Sequence, residues 1–388
     1  MQVRLAGAIK NRVLLVLWLA GVLAAWLLPL LTHAPNRLVT GKGIAFAAVP
    51  GGCVMLIPAL VLAVAPFCQK SAWRDGAVLL ACAVWLCGLL ALGGHEAQRL
   101  AMTDSDYSRT SFGGGGWVLW ALGWLAAADA LGQLRLSPRN TVLAALAVLA
   151  PCIGLLFSGQ LSELAVLKEY ANHQDVFDAA LSRHLEIVAA TLVPTLLIGI
   201  PLGVLVFRRN WLRGPVFSVL NLIQTIPSIA LFGLLIAPLA ALAAHVPVLA
   251  RLGVSGIGVT PAVIALTLYS LLPMARSTAA GLEQVPGPVV EAARGMGMSR
   301  RQVFWHVEVP LALPVLLSGL RITTVQAIGL TTVAALIGAG GFGAILFQGL
   351  LSSALDLVLL GAMPVIALAI AADALFKLLV SIWGVRGQ

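Results

Sequence analysis

The side chains best suited to chemistry gather in one short stretch, EAARGMGMSRRQVFWHVEVPLALP, residues 291–314. It carries five charged residues and two glycines between long apolar runs. On a helical wheel, small or apolar residues share one arc and charged or polar residues the opposite arc. The apolar arc holds Val289, Ala292, Ala293, Met296 and Gly297, and the polar arc holds Glu291, Arg294, Arg301 and Gln302. This pattern predicts an amphipathic surface that fits a groove on another protein. A membrane-surface helix that only joins two spans is the alternative.

The local signals divide this stretch into two short helices. Pro286 and Pro288 favour the start of the first helix. Gly297 suits the left-handed position that ends a helix. Ser299 and Gln302 have the spacing of a capping box, which predicts the start of the second helix. Val309, Pro310 and Pro314 then predict the start of the next membrane span.

A second group of polar residues lies inside an apolar run and could line a translocation pathway. These residues are Gln224, Thr225, Pro227 and Ser228. Ordinary hydrogen bonds between helices explain them equally well. Ionisable residues inside spans are costly and often functional. We expect Asp129, Arg321 and Asp373 to reach water or lipid headgroups near the cytoplasmic ends of their spans, and so to anchor helices rather than to relay protons.

No constellation predicts catalysis or a metal site. The five cysteines have no paired or metal-like spacing, and we interpret them as small buried hydrophobic residues. No stretch fits the phosphate-binding pattern Gly-x-x-x-x-Gly-Lys-Ser/Thr, so we expect no ATP hydrolysis on this chain.

The elements that must position these residues are membrane helices. The 388 residues are 60% hydrophobic and 10% charged. A span needs about 20 apolar residues, and the apolar runs are too long and uniform for barrel strands. We predict an all-α integral membrane protein with about ten spans, near residues 13–31, 44–66, 77–93, 117–132, 141–158, 185–207, 216–240, 259–282, 309–336 and 357–381.

The distribution of Lys and Arg predicts the orientation, since retained positive charge marks the cytoplasmic side. With the N-terminus inside, sixteen of these residues fall on one side and seven on the other. This predicts an even number of spans, both termini in the cytoplasm and an uncleaved first span. The net charge of +9 is then a sign of topology, not of a nucleic-acid partner.

The chain divides into three predicted regions. Residues 1–158 hold five spans with nothing that suggests catalysis. Residues 159–184 form an amphipathic external connector of one or two helices at the membrane surface. Residues 185–388 hold five more spans, rich in proline and glycine. A connector is the simpler function of 159–184, and a docking surface for an external partner is the alternative.

The pattern Glu291-Ala292-Ala293, Gly297, Val307 and Val309-Pro310 resembles the EAA loop of ABC importer permeases, with valine where that family usually has isoleucine and leucine. Two further stretches resemble the osmoprotectant (glycine betaine/choline) branch: NLIQTIPSIALFGLLIAPLA (221–240) and AALIGAGGFGAILFQGLLSSALDLVLLG (334–361). APNRLVTGKG (34–43) and LKEYANHQDVFDAAL (167–181) resemble its long form, which has extra spans before the shared core.

This resemblance implies a fold and a set of partners. The fold is a type I ABC importer permease core at 185–388 with a cytoplasmic coupling segment at 287–310, preceded by extra helices. The named EAA residues would dock on a separate ATPase, which binds ATP and Mg²⁺. The other partners would be a second permease subunit, an extracytoplasmic solute-binding protein and the bilayer of a bacterial inner membrane. The alternative from the residues alone is an ion-coupled secondary transporter of a small polar solute.

Overall fold

A computed structural model describes residues 9–37, 39–105, 107–251 and 253–384. The chain folds as two compact units, Met1–Asn172 and His173–Gln388. Helices make up most of both units. We call them the N-terminal unit and the core unit and describe each one separately.

In its described residues, the N-terminal unit combines five larger helices and one short helix with a small sheet. Its helices are α1 (Arg12–Leu27), α2 (Leu56–Val64), α3 (Ala72–Ala101), α4 (Gly114–Gln133), α5 (Pro138–Phe157) and α6 (Ala165–Asn172). Its strands are β1 (Pro29–Ala34), β2 (Lys42–Ala45) and β3 (Arg109–Phe112), in the antiparallel order β2-β1-β3. The sheet connects helix ends at the side that we predict to be external.

The glycine run 113–116 allows α4 to start directly against this sheet. A Cβ atom on Gly113 would lie 2.5 Å from the Pro29 carbonyl oxygen, and one on Gly116 would lie 2.6 Å from that of Leu30. Real Cβ atoms do not approach backbone oxygen so closely, so this junction requires glycine. The sheet also corrects two predicted spans. The span 13–31 ends at Leu27, because Pro29 begins a strand, and the run 44–66 begins as strand and 3₁₀ turns before it becomes α2.

An ion cluster in the N-terminal unit joins the two stretches that resemble long-form permeases. Arg37 pairs with the fully buried carboxylate of Glu169 in α6, and Arg109 Nη2 lies 3.4 Å from Glu169 Oε1. Burying a carboxylate is costly unless cations accompany it. The two arginines therefore stabilise α6 against the loop after β1 and against β3.

The described part of the core unit contains ten further α-helices. They are α7 (Gln174–Arg208), α8 (Arg213–Thr225), α9 (Ser228–His245), α10 (Pro247–Arg251), α11 (Val259–Glu283), α12 (Gly287–Gly295), α13 (Arg300–Val303), α14 (Val309–Ala334), α15 (Phe342–Leu351) and α16 (Leu355–Gly384). Helices α7, α11 and α14 pack closely at its centre. A Cβ on Gly203 of α7 would lie 2.6 Å from the Ala275 carbonyl oxygen, and one on Gly319 of α14 would lie 2.2 Å from Ser277 Cβ.

The structure corrects one more predicted span and gives detail that the sequence did not predict at two other places. The span 216–240 is not continuous: α8 ends at Thr225 and α9 begins at Ser228. The predicted connector, 159–184, contains α6 and the first turns of α7, and α7 continues past residue 184 without a boundary. The glycine-rich stretch 338–343 leads into a short helix, α15, which sequence reasoning did not predict.

Each of the ten predicted spans corresponds to an apolar helix or apolar helical stretch of the structure. Seven helices in the described part of the chain are long and apolar enough to cross a membrane. The other three predicted spans correspond to α1, to the apolar stretch Gly52–Phe67 and to α4. The prediction of an all-α membrane protein is therefore confirmed, with shorter or interrupted helices at several positions.

Candidate functional site

The first helix of the coupling segment, residues 287–310, has the predicted start and end. Pro286 is the N-cap of α12, and Pro288 lies in its first turn. At the other end, Gly297 has a φ of +85°, and its N–H donates to the Arg294 carbonyl. The Met298 N–H donates to the Ala293 carbonyl at 3.2 Å. These two bonds form a Schellman motif, which satisfies the last carbonyls of the helix and turns the chain sharply.

The second helix begins with the predicted capping box. Gln302 N–H donates to Ser299 Oγ at 3.4 Å, and Ser299 N–H donates to Gln302 Oε1 at 2.8 Å. After α13 the chain makes a π-helical turn, Phe304–Glu308, and continues into α14 without a break. The next long helix, α14, begins at Val309 as predicted, although the chain enters it from the π-helical turn without a break. Pro310 cannot donate a backbone hydrogen bond, and the wider turn before it joins the two helices, with Val309 N–H bonded to the Phe304 carbonyl.

The predicted coupling residues divide into an exposed and a packed set. Glu291, Ala292, Gly297 and Pro310 are exposed, Val307 and Val309 are half-buried, and Ala293 is buried. Ala293 thus packs the segment against its own unit. The exposed members leave a surface to which another protein can bind.

Apolar and basic side chains surround this surface. Val289, Met296 and Trp305 are 43%, 76% and 58% exposed. Arg294, Arg300 and Arg301 are exposed near them. Exposed large apolar side chains beside charges are typical of interaction surfaces. Trp305 was not among the residues selected from the sequence. Its position three residues after Gln302, on the polar side of the wheel, is the signal that could have identified it.

The four pathway candidates surround the break between α8 and α9. Ile226 and Pro227 have extended backbone conformations, with ψ angles of 126° and 138°. Thr225 is the last residue of α8, and Ser228 is the first of α9. A discontinuous helix leaves backbone groups and two helix ends available inside a span, which is common at transport sites.

Two hydrogen bonds with Tyr269 of the neighbouring helix α11 stabilise this break. Gln224 Nε2 donates to the Tyr269 carbonyl at 2.9 Å, and the Tyr269 hydroxyl donates to the Ile226 carbonyl. Thr225 Oγ1 donates to the Leu222 carbonyl at 2.7 Å. Gln224 thus makes a hydrogen bond between helices, of the kind that the alternative interpretation proposed, whereas Thr225 bonds within its own helix, α8. Sequence reasoning did not select Tyr269, because it is distant in the chain from the break.

The ionisable residues inside spans have partners. Asp129 Oδ2 accepts from Asn11 Nδ2 at 2.6 Å in the N-terminal unit. In the core unit, Asp373 lies 2.6 Å from Lys377 Nζ and 3.7 Å from Arg321 Nη1. Such pairs agree with an anchoring role. In the described part of the chain, no group of three or more His, Cys, Asp or Glu side chains could hold a metal ion.

Comparison with known proteins shows which family has this architecture. Residues 195–381 match the family described as "Binding-protein-dependent transport system inner membrane component". Residues 10–167 match "ABC transporter permease YehY, N-terminal domain". The osmoprotectant import permease protein OsmW of Salmonella typhimurium is 45% identical over 191 residues, which are 49% of this chain and 84% of OsmW. This chain belongs to the ABC importer permeases.

Two further relatives are transport permease proteins of Bacillus subtilis. The glycine betaine/carnitine/choline transport system permease protein OpuCD of Bacillus subtilis is 39% identical over 46% of this chain and 71% of its own length. The choline transport system permease protein OpuBB of the same organism is 36% identical over 49% and 80%. Among solved structures, the MetNI methionine ABC transporter aligns at 23% identity and a TM-score of 0.44, over 53% of this chain and 97% of that one.

Family membership decides between the two classes of transporter that the residues left open. ABC importer permeases are translocation subunits that work with an ATPase on a separate chain. The chain is therefore an ABC permease and not an ion-coupled secondary carrier.

Proposed function

We propose that this chain is the membrane-spanning subunit of an ATP-driven importer for an osmoprotectant such as glycine betaine. Its coupling segment binds a separate ATPase, and its core unit forms the route for the solute. The observation that carries this proposal is the coupling segment itself. Two capped helices joined at Gly297 expose Glu291, Ala292 and Gly297, and the second continues into α14 without a break.

The choice of solute class has two supports. OsmW, OpuCD and OpuBB are named for osmoprotectants, glycine betaine, carnitine or choline. In addition, the break at Ile226–Pro227 places the C-terminal end of α8 beside the N-terminal end of α9. These ends carry partial negative and partial positive charge. A zwitterion with an ammonium and a carboxylate group complements both, so Gln224, Thr225, Pro227 and Ser228 lie where the solute would pass.

The partners follow from the same proposal. Two permease subunits form the pathway, two ATPases bind the coupling segments and hold ATP and Mg²⁺, and an extracytoplasmic protein delivers the solute. The assembly lies in a bacterial inner membrane, with the N-terminal and C-terminal segments in the cytoplasm. Closure of the ATPases moves the coupling segment and α14 together, which opens the pathway outward by rigid-body movement.

The decisive experiment is uptake into proteoliposomes that contain the whole assembly. Labelled glycine betaine is supplied outside with the solute-binding protein, and ATP is present or absent inside. We expect uptake only with ATP, and none when the ATPase carries a substitution that abolishes hydrolysis. Uptake that ignores ATP and follows an imposed proton or sodium gradient would contradict the proposal. Competition by unlabelled choline, carnitine and an unrelated amino acid then identifies the preferred solute.

A further inference from the structure

Arg208, the last residue of α7, contacts the π-helical turn of the coupling segment. Its Nη2 atom donates to Glu308 Oε2 at 3.2 Å, and its guanidinium carbon lies 5.0 Å from the centroid of the Phe304 ring. Phe304 and Glu308 are the first and last residues of that turn. A single arginine therefore holds both ends of the turn that joins α13 to α14.

The burial of Glu308 distinguishes this contact from an ordinary surface ion pair. Its side chain is 9% exposed, whereas that of Arg208 is 42% exposed. A carboxylate removed from water depends on its partner more strongly than an exposed one. The planar guanidinium can bond to the carboxylate and also lie over the aromatic face, which a lysine ammonium does less well.

The location of the contact gives it mechanical importance. Helices α7, α11 and α14 are already in close contact within the membrane through Gly203 and Gly319. At their cytoplasmic ends, Arg208 connects α7 to the coupling segment by an ion pair, and Arg213 forms a separate, more exposed pair with Glu283 at 2.5 Å. π-helical turns occur frequently at functional positions. A displacement of α13 can therefore be transmitted directly to α7 through Arg208.

We propose that Arg208 is a positioning residue that couples movement of the coupling segment to α7, the first helix of the core unit. Its guanidinium keeps the turn Phe304–Glu308 fixed to α7, so that α7 and α14 move together when the ATPase closes. This inference rests on the proposed function, because it requires an ATPase on the coupling segment.

The test compares ATP hydrolysis with uptake in the reconstituted assembly. In the Arg208→Gln variant we expect the ATPase still to bind and hydrolyse ATP, since the docking surface is intact. The number of solute molecules imported per ATP should fall roughly 2- to 30-fold, the range typical of residues that transmit coupling between sites. Phe304→Leu removes only the ring contact. It should lower this ratio, the number of solute molecules imported per ATP, by a smaller factor.

Two variants serve as controls. Arg209→Gln removes the adjacent exposed cation, for which the described residues show no side-chain hydrogen bond or ion pair, and should leave the ratio unchanged. The double variant Arg208→Glu/Glu308→Arg exchanges the two charges. It should recover part of the import per ATP that Arg208→Glu alone loses. A purely structural role would change the amount of assembled protein without changing the ratio.

Each outcome separates this inference from the proposed function. If the wild-type assembly shows no ATP-dependent uptake, the proposed function fails. If the wild type is coupled and Arg208→Gln keeps its ratio, the positioning role fails. If Arg208→Gln does not assemble, the charge exchange decides: a restored ratio supports the role, and an assembled but unrestored double variant contradicts it.

Discussion

Gly297 ends α12 in a backbone conformation that side chains other than glycine rarely adopt. Its φ is +85°, yet a Cβ atom there would meet no other atom within 4 Å. A substitution at this position therefore tests backbone geometry without a steric clash. Asparagine tolerates the left-handed region, whereas a β-branched residue does not.

We predict that Gly297→Val weakens coupling and Gly297→Asn largely preserves it. The left-handed conformation costs an ordinary residue about 1–2 kcal/mol, which would favour unwinding of the Schellman turn in Gly297→Val. The measurements are ATPase copurification and ATP-dependent uptake, compared between the two variants at equal amounts in the membrane. Equal loss in both variants would show that the position requires the absence of a side chain and not its backbone conformation.

Asp104 offers a second test at the residue scale, in the loop before β3. Hydrogen bonds from His33 Nε2, 3.0 Å from Asp104 Oδ2, and from the Ser105 N–H lower the pKa of this carboxyl group. A lowered pKa in the folded state means that the charged form stabilises the fold. The contribution is present above the ordinary pKa of about 3.9 and is lost as the pH falls through the folded-state pKa.

We predict that Asp104→Asn lowers the midpoint of thermal unfolding at pH 7 and that its difference from the wild type disappears as the pH falls below 4. The Asp178→Asn variant is the control, because Asp178 is exposed and its carboxylate has no side-chain partner among the described residues. A difference for Asp104→Asn that persists at low pH would mean that shape, and not charge, stabilises this loop.

At the scale of elements, close packing through glycine positions the short helix α15. A Cβ on Gly343 would lie 1.9 Å from the Thr332 carbonyl oxygen and 2.8 Å from Ala335 Cβ. Neither of these two atoms is the flexible end of a side chain, so α15 itself would have to move to make room for the added Cβ. Gly233, inside α9, has no atom within 4 Å of the same position and offers a matched comparison.

We predict opposite effects of alanine at these two glycines. Gly343→Ala should destabilise the core unit by about 1–3 kcal/mol through overpacking. Gly233→Ala should be neutral or stabilising by about 0.5–1 kcal/mol, since alanine restricts the unfolded chain more than glycine does. Denaturant unfolding in detergent measures both. A stable Gly343→Ala variant would show that α15 can shift away from α14 at little cost.

At the scale of the whole molecule, the orientation of the helices can be read from two native cysteines. Cys53 and Cys68 are exposed and lie before and after α2, whereas Cys82 and Cys152 are buried. With the N-terminal segment in the cytoplasm, the start of α2 faces outward and its end faces inward. The positive-inside distribution makes the same assignment.

We predict that a membrane-impermeant maleimide labels Cys53 from the external side and Cys68 from the cytoplasmic side. Right-side-out and inverted vesicles, with Cys53→Ser and Cys68→Ser variants to identify the labelled site, distinguish the two. The reverse pattern would overturn the proposed orientation and would place the coupling segment on the side without ATP.

The sequence alone was sufficient to predict the membrane class and the approximate number of spans. It also predicted the two helices of the coupling segment and their caps. These features depend on composition and on residues close together in the chain: an apolar run, Gly297 after α12, or Ser299 three positions before Gln302. A helix in lipid satisfies its own backbone hydrogen bonds, so local sequence is sufficient to predict it.

Only the tertiary structure decided the features that depend on distant residues. The break at Ile226–Pro227 is stabilised by Tyr269 of another helix, and Pro29 starts a strand because β2 and β3 are available to pair with it. Likewise, Glu308 lies 100 residues from Arg208 in the chain but 3.2 Å from it in space. Long-range contacts such as these arise from packing, which periodicity and caps do not encode, and they determine which charged residue of the coupling segment contacts α7.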